Sequence, residues 1–254
     1  MAGMVHDTSS SGSVTPVVSA IGRGRGAFSL VELLVVVGII AVLLGILIPV
    51  LGRVREQGYS ALCMSNLRQM GIGMMAYAQN NDDRFPFSAD WNGHHPEDWI
   101  WWETQGVPGL DVTGSPILKY LESHPVNILR CPSDDGSRWR QQSQTYGPYN
   151  YSYTFNMMFG SQMTTPVRLT AVVRPAEKIL VVEEDQQSLD DGNWCPTQLG
   201  TPWENYLAVR HDRRRDPSQP DGLLRGSVLF ADGHGELVPR DFVRMKEHYD
   251  PMAP

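Results

Sequence analysis

The stretch Gly26-Ala27-Phe28-Ser29-Leu30-Val31-Glu32 opens an apolar run that reaches Leu51. Phe28 to Leu51 is 24 residues, enough to cross a hydrocarbon core of about 30 Å at about 1.5 Å per helical residue. One carboxylate, Glu32, sits inside this otherwise membrane-grade segment. Such a group is costly there unless it lies near the interface or finds a cation, so its presence points to a function. Arg23 and Arg25 precede the run, and Arg53 and Arg55 follow it. Positive charge ahead of the run predicts a single pass with the N-terminus inside and the body beyond the cytoplasmic membrane, periplasmic or extracellular.

These residues resemble the N-terminal signal of type IV prepilins and type II secretion pseudopilins. That family has a basic leader, a small residue before the cut, an aromatic first mature residue and Glu as the fifth. Ala27 takes the place before the cut, where the family usually has Gly; Phe28 takes the first mature position and Glu32 the fifth. The resemblance implies cleavage between Ala27 and Phe28 by a prepilin peptidase, then N-methylation of Phe28. It implies that Glu32 pairs with the N-terminal amine of a neighbouring subunit. Its implied partners are therefore prepilin peptidase, other pilin-like subunits, an inner-membrane assembly platform and membrane lipid.

Two plainer readings fit less well. A secretory signal peptide has an apolar region of only about 7–15 residues and a small-x-small site after it. Gly52-Arg53-Val54-Arg55 is no such site. A simple single-span anchor has no use for Glu32. Residues 1–27 are rich in Ser and Gly and lack apolar periodicity, which suits a disposable cytoplasmic leader.

The formal net charge is −7. The leader carries Arg23, Arg25 and Asp7, so its removal leaves the remainder more acidic still. An acidic exported body has no electrostatic reason to bind nucleic acid, and none is expected as a partner. The three cysteines, Cys63, Cys131 and Cys195, are odd in number, so at least one is free or pairs between chains. Export permits a disulfide; Cys131–Cys195, Cys63–Cys131 and three inert thiols stay open alternatives. No CxxC or Cys/His spacing typical of zinc ligands appears.

Past Leu51 the pattern becomes amphipathic. Cys63, Leu67, Met70, Met74 and Tyr77 fall on one helical face, while Gln57, Ser60, Asn66 and Arg68 fall on the other side. One helix from Phe28 to about Asn80 is expected, with a break or kink near Gly45–Pro49. Gly71 and Gly73 either end it early or admit close packing of strands. Asn80 to Pro86 reads as a polar turn. Residues 87–130 are irregular and aromatic (Trp91, Trp99, Trp101, Trp102), with a short helix expected over Ile117–Glu122. Lys178 to Glu183 reads as a buried strand. Ser227–Ala231 and Gly235–Val238 flank Asp232-Gly233, which suits a type I′ hairpin turn. Residues 241–254 are expected to form a brief helix and then a frayed tail.

The body also resembles the large exported prepilin-like proteins abundant in planctomycetes. The shared landmarks are Cys63-Met64-Ser65-Asn66-Leu67-Arg68-Gln69, Tyr77, Asn80–Phe85, Cys131-Pro132-Ser133-Asp134 and Phe230-Ala231-Asp232-Gly233-His234. In that family a His precedes Asp-Gly by nine residues. Here 20 residues, 212–231, separate His211 from Asp232-Gly233, and 212–222 look like a loop insertion.

His211, Asp232 and His234 are residue types that metal or acid–base sites use. No HExxH or GxSxG frame accompanies them, so they are read as a turn, a backbone-bonded imidazole and a solvated one, and no enzyme is expected. Some pseudopilins hold a structural calcium in a C-terminal loop. Glu184, Asp185, Asp190 and Asp191 are the candidate ligands for one here; no other cofactor is expected.

The expected fold is α+β and pilin-like: a long N-terminal helix, membrane-spanning in its first half, packed on an antiparallel sheet with long loops. The expected organisation is a leader at 1–27, an assembly helix at 28–51, its amphipathic continuation at 52–80 and an exported head at 81–254. The expected function is a structural subunit of a type II secretion pseudopilus or type IV pilus-like fibre. The alternative is a membrane-tethered binding module that forms no fibre and uses Trp101 and Trp102.

Overall fold

The computed structural model describes residues 29–90, 94–102, 112–122, 126–134, 150–161, 165–197, 204–212 and 220–254. Helix α1 spans Leu30–Asn80, 51 residues. The chain divides into two units, Met1–Pro49 and Val50–Pro254.

In the first unit α1 is apolar all round and exposed throughout its described length. A helix without a polar face has to be covered by a core or by lipid. The helix does not end at Gly45 or Pro49: α1 is continuous through both. Proline removes one hydrogen bond and crowds the carbonyl of residue i−4. For Pro49 that residue is Gly45. The helix therefore loses one carbonyl's partner without ending.

In the second unit the expected face is the buried one. Cys63, Leu67, Met70, Met74, Tyr77 and Ala78 are all buried, whereas Gln57 and Arg68 are exposed. Gly71 and Gly73 do not end the helix; they let it approach its neighbours. A Cβ on Gly71 would lie 3.2 Å from Leu229 Cδ1, and one on Gly73 would lie 3.1 Å from the Ile117 carbonyl oxygen.

The sheet has five strands: β1 Tyr153–Asn156, β2 Ile179–Glu183, β3 Asn193–Trp194, β4 Arg225–Phe230 and β5 Gly235–Pro239. Their spatial order is β3-β1-β2-β4-β5. It is mixed rather than antiparallel, because β1 and β3 pair in parallel through Phe155–Asn193 and Asn156–Trp194. The chain leaves β1, crosses antiparallel to it as β2, and returns through residues 184–192 in the direction of β1. Such a return requires a long connection. Only two residues of β3 pair before Cys195-Pro196, too short a strand to show in the sequence.

Both faces of the sheet are covered. Leu180, Val181 and Leu229 pack with Cys63, Leu67, Met70 and Met74. Ile179, Val182, Val228 and Phe230 pack with Trp194, Leu207, Val238 and Val243. Alternation along β2 slips where Leu180 and Val181 share a face, at the register shift between Ile179 and Val181 opposite β4. That is what a β-bulge does.

The β4–β5 hairpin forms where expected, but its turn is not type I′. Gly233 alone takes a positive φ, +93°, and Asp232 does not. Gly233 N donates to Phe230 O at 2.9 Å, and Phe230 N to His234 O at 2.8 Å. These bonds define a three-residue loop with Gly in the left-handed position. Two single-turn helices follow, Arg240–Val243 and Lys246–Tyr249. The C-terminal tail is packed rather than frayed: Pro251 is buried and its carbonyl accepts from Val173 N at 2.9 Å.

The aromatic segment is largely interior. Trp99 is fully buried, and its Nε1 donates to Gly192 O at 2.7 Å. Trp102 is half-buried and donates to Ala89 O at 3.1 Å. Trp101 is half-buried against Gly114, where a Cβ would fall 2.3 Å from its ring. Trp91 lies outside the described residues. The helix expected over Ile117–Glu122 is a 3₁₀ segment at Pro116–Tyr120.

Beside Trp99, the Asp98 carboxylate accepts from His95 N at 2.7 Å. Burial pushes its pKa up to about 7; the His95 N–H opposes this, and the Asp90 carboxylate adds to it. The unfolded chain releases this proton near pH 4. Between about pH 4 and about 7 the unfolded state binds fewer protons than the folded one, so stability falls as pH rises through that window and is level above it. Asp98→Asn removes this fall, which is about 1.4 kcal/mol per pH unit inside the window. Urea midpoints of the detergent-extracted protein across this range check it; a variant with the wild-type slope would contradict the assignment.

Candidate functional site

Ala27 and Phe28 lie outside the described residues. Glu32 is described, and it has a local role that the sequence reading missed. Ser29 N donates to Glu32 Oε2 at 2.9 Å, and Val31 N donates to Ser29 Oγ at 3.3 Å. Ser29-x-x-Glu32 is thus a capping box at the start of α1. The Ser-x-x-Glu spacing was the available signal. A carboxylate in the first turn also suits the positive end of the helix dipole.

The second concentration of polar chemistry is interior. Cys63 comes from α1, Cys131 from the turn at 131–134, Glu183 from the end of β2 and His211 from the turn at 210–211. All four are buried, and one ligand-type atom from each lies within 4.8 Å of the other three. Cys131 Sγ is 3.2 Å from His211 Nε2. Glu183 Oε2 is 3.8 Å from Cys63 Sγ and 3.7 Å from His211 Nε2. Tyr153 Oη stands 3.0 Å from Cys63 Sγ.

Charged groups hold this cluster from outside. Arg210 Nη1 donates to Glu183 Oε1 at 3.0 Å and to Glu184 O at 3.1 Å, and its Nη2 lies 3.4 Å from Asp134 Oδ1. Burial alone would lower the guanidinium pKa, but Glu183 and Asp134 outweigh it and the net direction is up. His211 Nδ1 faces Glu56 Oε1 at 3.0 Å. Burial pulls the imidazole down, and Cys131, Glu183 and Glu56 together reverse this and raise it to about 9. Ser133 Oγ donates to Glu56 Oε1 at 3.2 Å, Ser152 Oγ to Asp134 Oδ2 at 2.6 Å, and Cys131 N to Ser152 Oγ at 3.0 Å.

Two of the landmarks quoted from the sequence, the helix segment beginning at Cys63 and the Cys131-Pro132-Ser133-Asp134 turn, therefore meet His211 at one place. The Phe230–His234 landmark does not join them. His234 Nδ1 faces Asp232 Oδ1 at 2.6 Å on the surface, and its ring stacks on Phe230. His211 bonds to side chains, not to the backbone expected for it. Asp232 stands in the turn, where its Oδ1 accepts from His234 N at 3.0 Å, and His234, expected in solvent, is half-buried.

The three thiols are free and buried. Cys195 stands apart from the cluster, with its Sγ 3.4 Å from Thr197 Oγ1. Of the four acidic candidates for calcium, Glu184 Oε1 accepts from Asn205, Asp185 Oδ2 faces Arg240, and Asp191 accepts from Asn193; Asp190 lies near enough to Glu184 to raise its pKa. Among the described residues, the one cluster with metal-ligand spacing is the Cys63, Cys131, Glu183 and His211 set.

Cys131, His211 and Glu56 line up as a thiol, an imidazole and a carboxylate. A nucleophilic thiol needs access and a lowered pKa. Cys131 is 1% exposed, and hydrogen bonding with Cys63, then burial, push its thiol up. The alignment is therefore not that of an activated nucleophile.

Comparison with known proteins adds one finding. Residues 22–48 match the prokaryotic N-terminal methylation motif. No curated protein and no solved structure matches the chain. The motif supports a type IV pilin-like N-terminus processed by prepilin peptidase, and with the apolar helix it supports a single-pass membrane anchor. It points to a structural subunit rather than an enzyme.

The buried Arg210 guanidinium binds the carboxylates of Glu183 and Asp134 together. Arg210→Met strands both, and removing one partner of a buried ion pair costs about 3–5 kcal/mol. Urea unfolding of the detergent-extracted protein is expected to show a loss of that size, with Arg210→Lys recovering only part because it lacks the planar fork. A loss below about 1 kcal/mol, the range of exposed pairs, would contradict the account.

Proposed function

We propose that this chain is a pilin-like structural subunit that assembles through its N-terminal helix into a type II secretion pseudopilus or type IV pilus-like fibre. The observation that carries the reading is the methylation motif at residues 22–48 laid over an all-round apolar helix with a single carboxylate in its first turn. The peptidase cuts between Ala27 and Phe28, and Phe28 becomes the methylated end. Glu32 then accepts the amine of a neighbouring subunit, since a carboxylate at membrane depth needs a cation. The apolar surface from Leu30 to Leu51 packs on other subunit helices, and an inner-membrane platform drives assembly. Arg23 and Arg25 keep the leader inside, which puts the head in the periplasm or beyond.

The tether-and-bind alternative draws no support from the tryptophans it would use. Trp101 is half-buried against Gly114, and Trp102, also half-buried, donates its ring N–H to Ala89 O. Within the same reading, the landmarks that resemble the planctomycete exported proteins support a head of that kind.

The capping box makes Glu32→Gln the sharper test. Glutamine preserves the cap but cannot form the ion pair. Glu32→Gln is expected to leave the unfolding midpoint of the head unchanged while incorporation into fibres falls at least about tenfold, equivalent to about 1.4 kcal/mol of lost pairing. Sheared surface fractions probed by immunoblot measure this. Normal incorporation of Glu32→Gln would remove the assembly role of Glu32.

A further inference from the structure

The geometry points to a structural zinc site formed by Cys63, Cys131, Glu183 and His211, which ties α1 to the sheet and to two loops. The inference is independent of the prepilin reading, since all four residues lie in the unit Val50–Pro254.

The spacing fits the ion. Zinc binds thiolate sulfur at about 2.3 Å, imidazole nitrogen at about 2.0–2.1 Å and carboxylate oxygen at about 2.0–2.2 Å, so the edges of a mixed tetrahedron measure about 3.3–3.8 Å. The donor atoms here stand 3.2, 3.7 and 3.8 Å apart in the pairs Cys131–His211, Glu183–His211 and Cys63–Glu183. They come from four separate parts of the chain, so a bound ion would cross-link elements that share no local sequence.

The donor set selects the metal. Two thiolates with an imidazole suit zinc, whereas calcium and magnesium require oxygen donors. Four protein donors fill a tetrahedral shell and leave no position for substrate, which makes the site structural rather than catalytic. Two thiolates, one carboxylate and a neutral imidazole around a divalent ion leave one negative charge, and the Arg210 guanidinium, shared with Asp134, sits on Glu183 Oε1 beside it.

The surroundings already hold the ligands in place. His211 presents Nε2 inward while Nδ1 meets Glu56 at 3.0 Å, the carboxylate–histidine–metal arrangement that fixes the tautomer. Arg210 holds the second oxygen of Glu183. Tyr153 Oη, 3.0 Å from Cys63 Sγ, is placed to donate to a thiolate. Zinc binding displaces the two thiol protons and any proton on His211, and no electron is transferred.

The test uses the full-length protein, extracted from membranes in detergent and purified without chelator. Elemental analysis is expected to give one zinc per chain, and exchange for cobalt is expected to give tetrahedral d–d bands with a thiolate-to-cobalt charge-transfer band. Cys195→Ser should keep the metal, because that thiol lies outside the cluster. Cys131→Ser should lose it. Should Cys131→Ser not fold, Glu56→Gln serves in its place: its side chain is 40% exposed, and loss of a carboxylate behind a ligating histidine weakens zinc by about 10–100-fold, read by competition with a chromogenic chelator. Three results would overturn the inference. One is wild-type protein that stays metal-free after incubation with zinc ions. The second is an intact mass two hydrogens short, with Cys63 and Cys131 linked as a disulfide. The third is zinc lost equally from Cys195→Ser.

Discussion

The head depends on one stripe of α1. Cys63, Leu67, Met70 and Met74 are fully buried against Leu180, Val181 and Leu229 of the sheet and against Phe85, Trp99 and Ile117 of the irregular segments. Each such side chain contributes roughly 1.5–3 kcal/mol when taken from water. Gly71 is what lets the stripe sit this close, because a side chain there would press on Leu229. The segments between Phe85 and Leu129 have no regular strands among their described residues. Their order comes from packing onto this stripe and from specific bonds such as Trp99 Nε1 to Gly192 O.

The same helix meets two demands. Up to Leu51 it is apolar on every side, and from Cys63 onward it is apolar on one. The first pattern suits a solvent of lipid or neighbouring helices, and the second a protein core. Where the second pattern begins, Cys63 also begins the polar cluster. Glu56, about two turns earlier, reaches His211 from the outside of that cluster. α1 is thus fixed to the head by burial along its stripe and by charge near Cys63, in a network where Arg210 bridges Glu183 and Asp134.

The readable parts of the sequence were those with a periodic or local code. The 4-3-4-3 spacing from Cys63 to Tyr77 identified the buried face, and Asp232-Gly233 located the hairpin. The type of that turn was misread because Gly233 alone supplies the positive φ. The parallel β1–β3 pair was not legible, since a two-residue strand carries no alternation. The C-terminal tail looked free because what holds it, the burial of Pro251 and Ala253 and the Pro251 carbonyl bond to Val173 N, involves residues far away in sequence. The cluster was missed for the same reason. Cys63, Cys131, Glu183 and His211 have no motif spacing, and only the folded topology brings them together. The sequence did show some of its components: the segment from Cys63 and Cys131-Pro132-Ser133-Asp134 stood as landmarks and His211 as a candidate residue, without a link between them.

The central claim is that α1 begins as a prepilin signal and ends as the spine of a folded head. The most direct test is intact mass and N-terminal sequencing of membrane-extracted protein from cells with and without an active prepilin peptidase. The account predicts a peptidase-dependent start at N-methylated Phe28, with the full leader retained when the peptidase is absent. A leader retained in both strains, or a cut after Leu51, would contradict it.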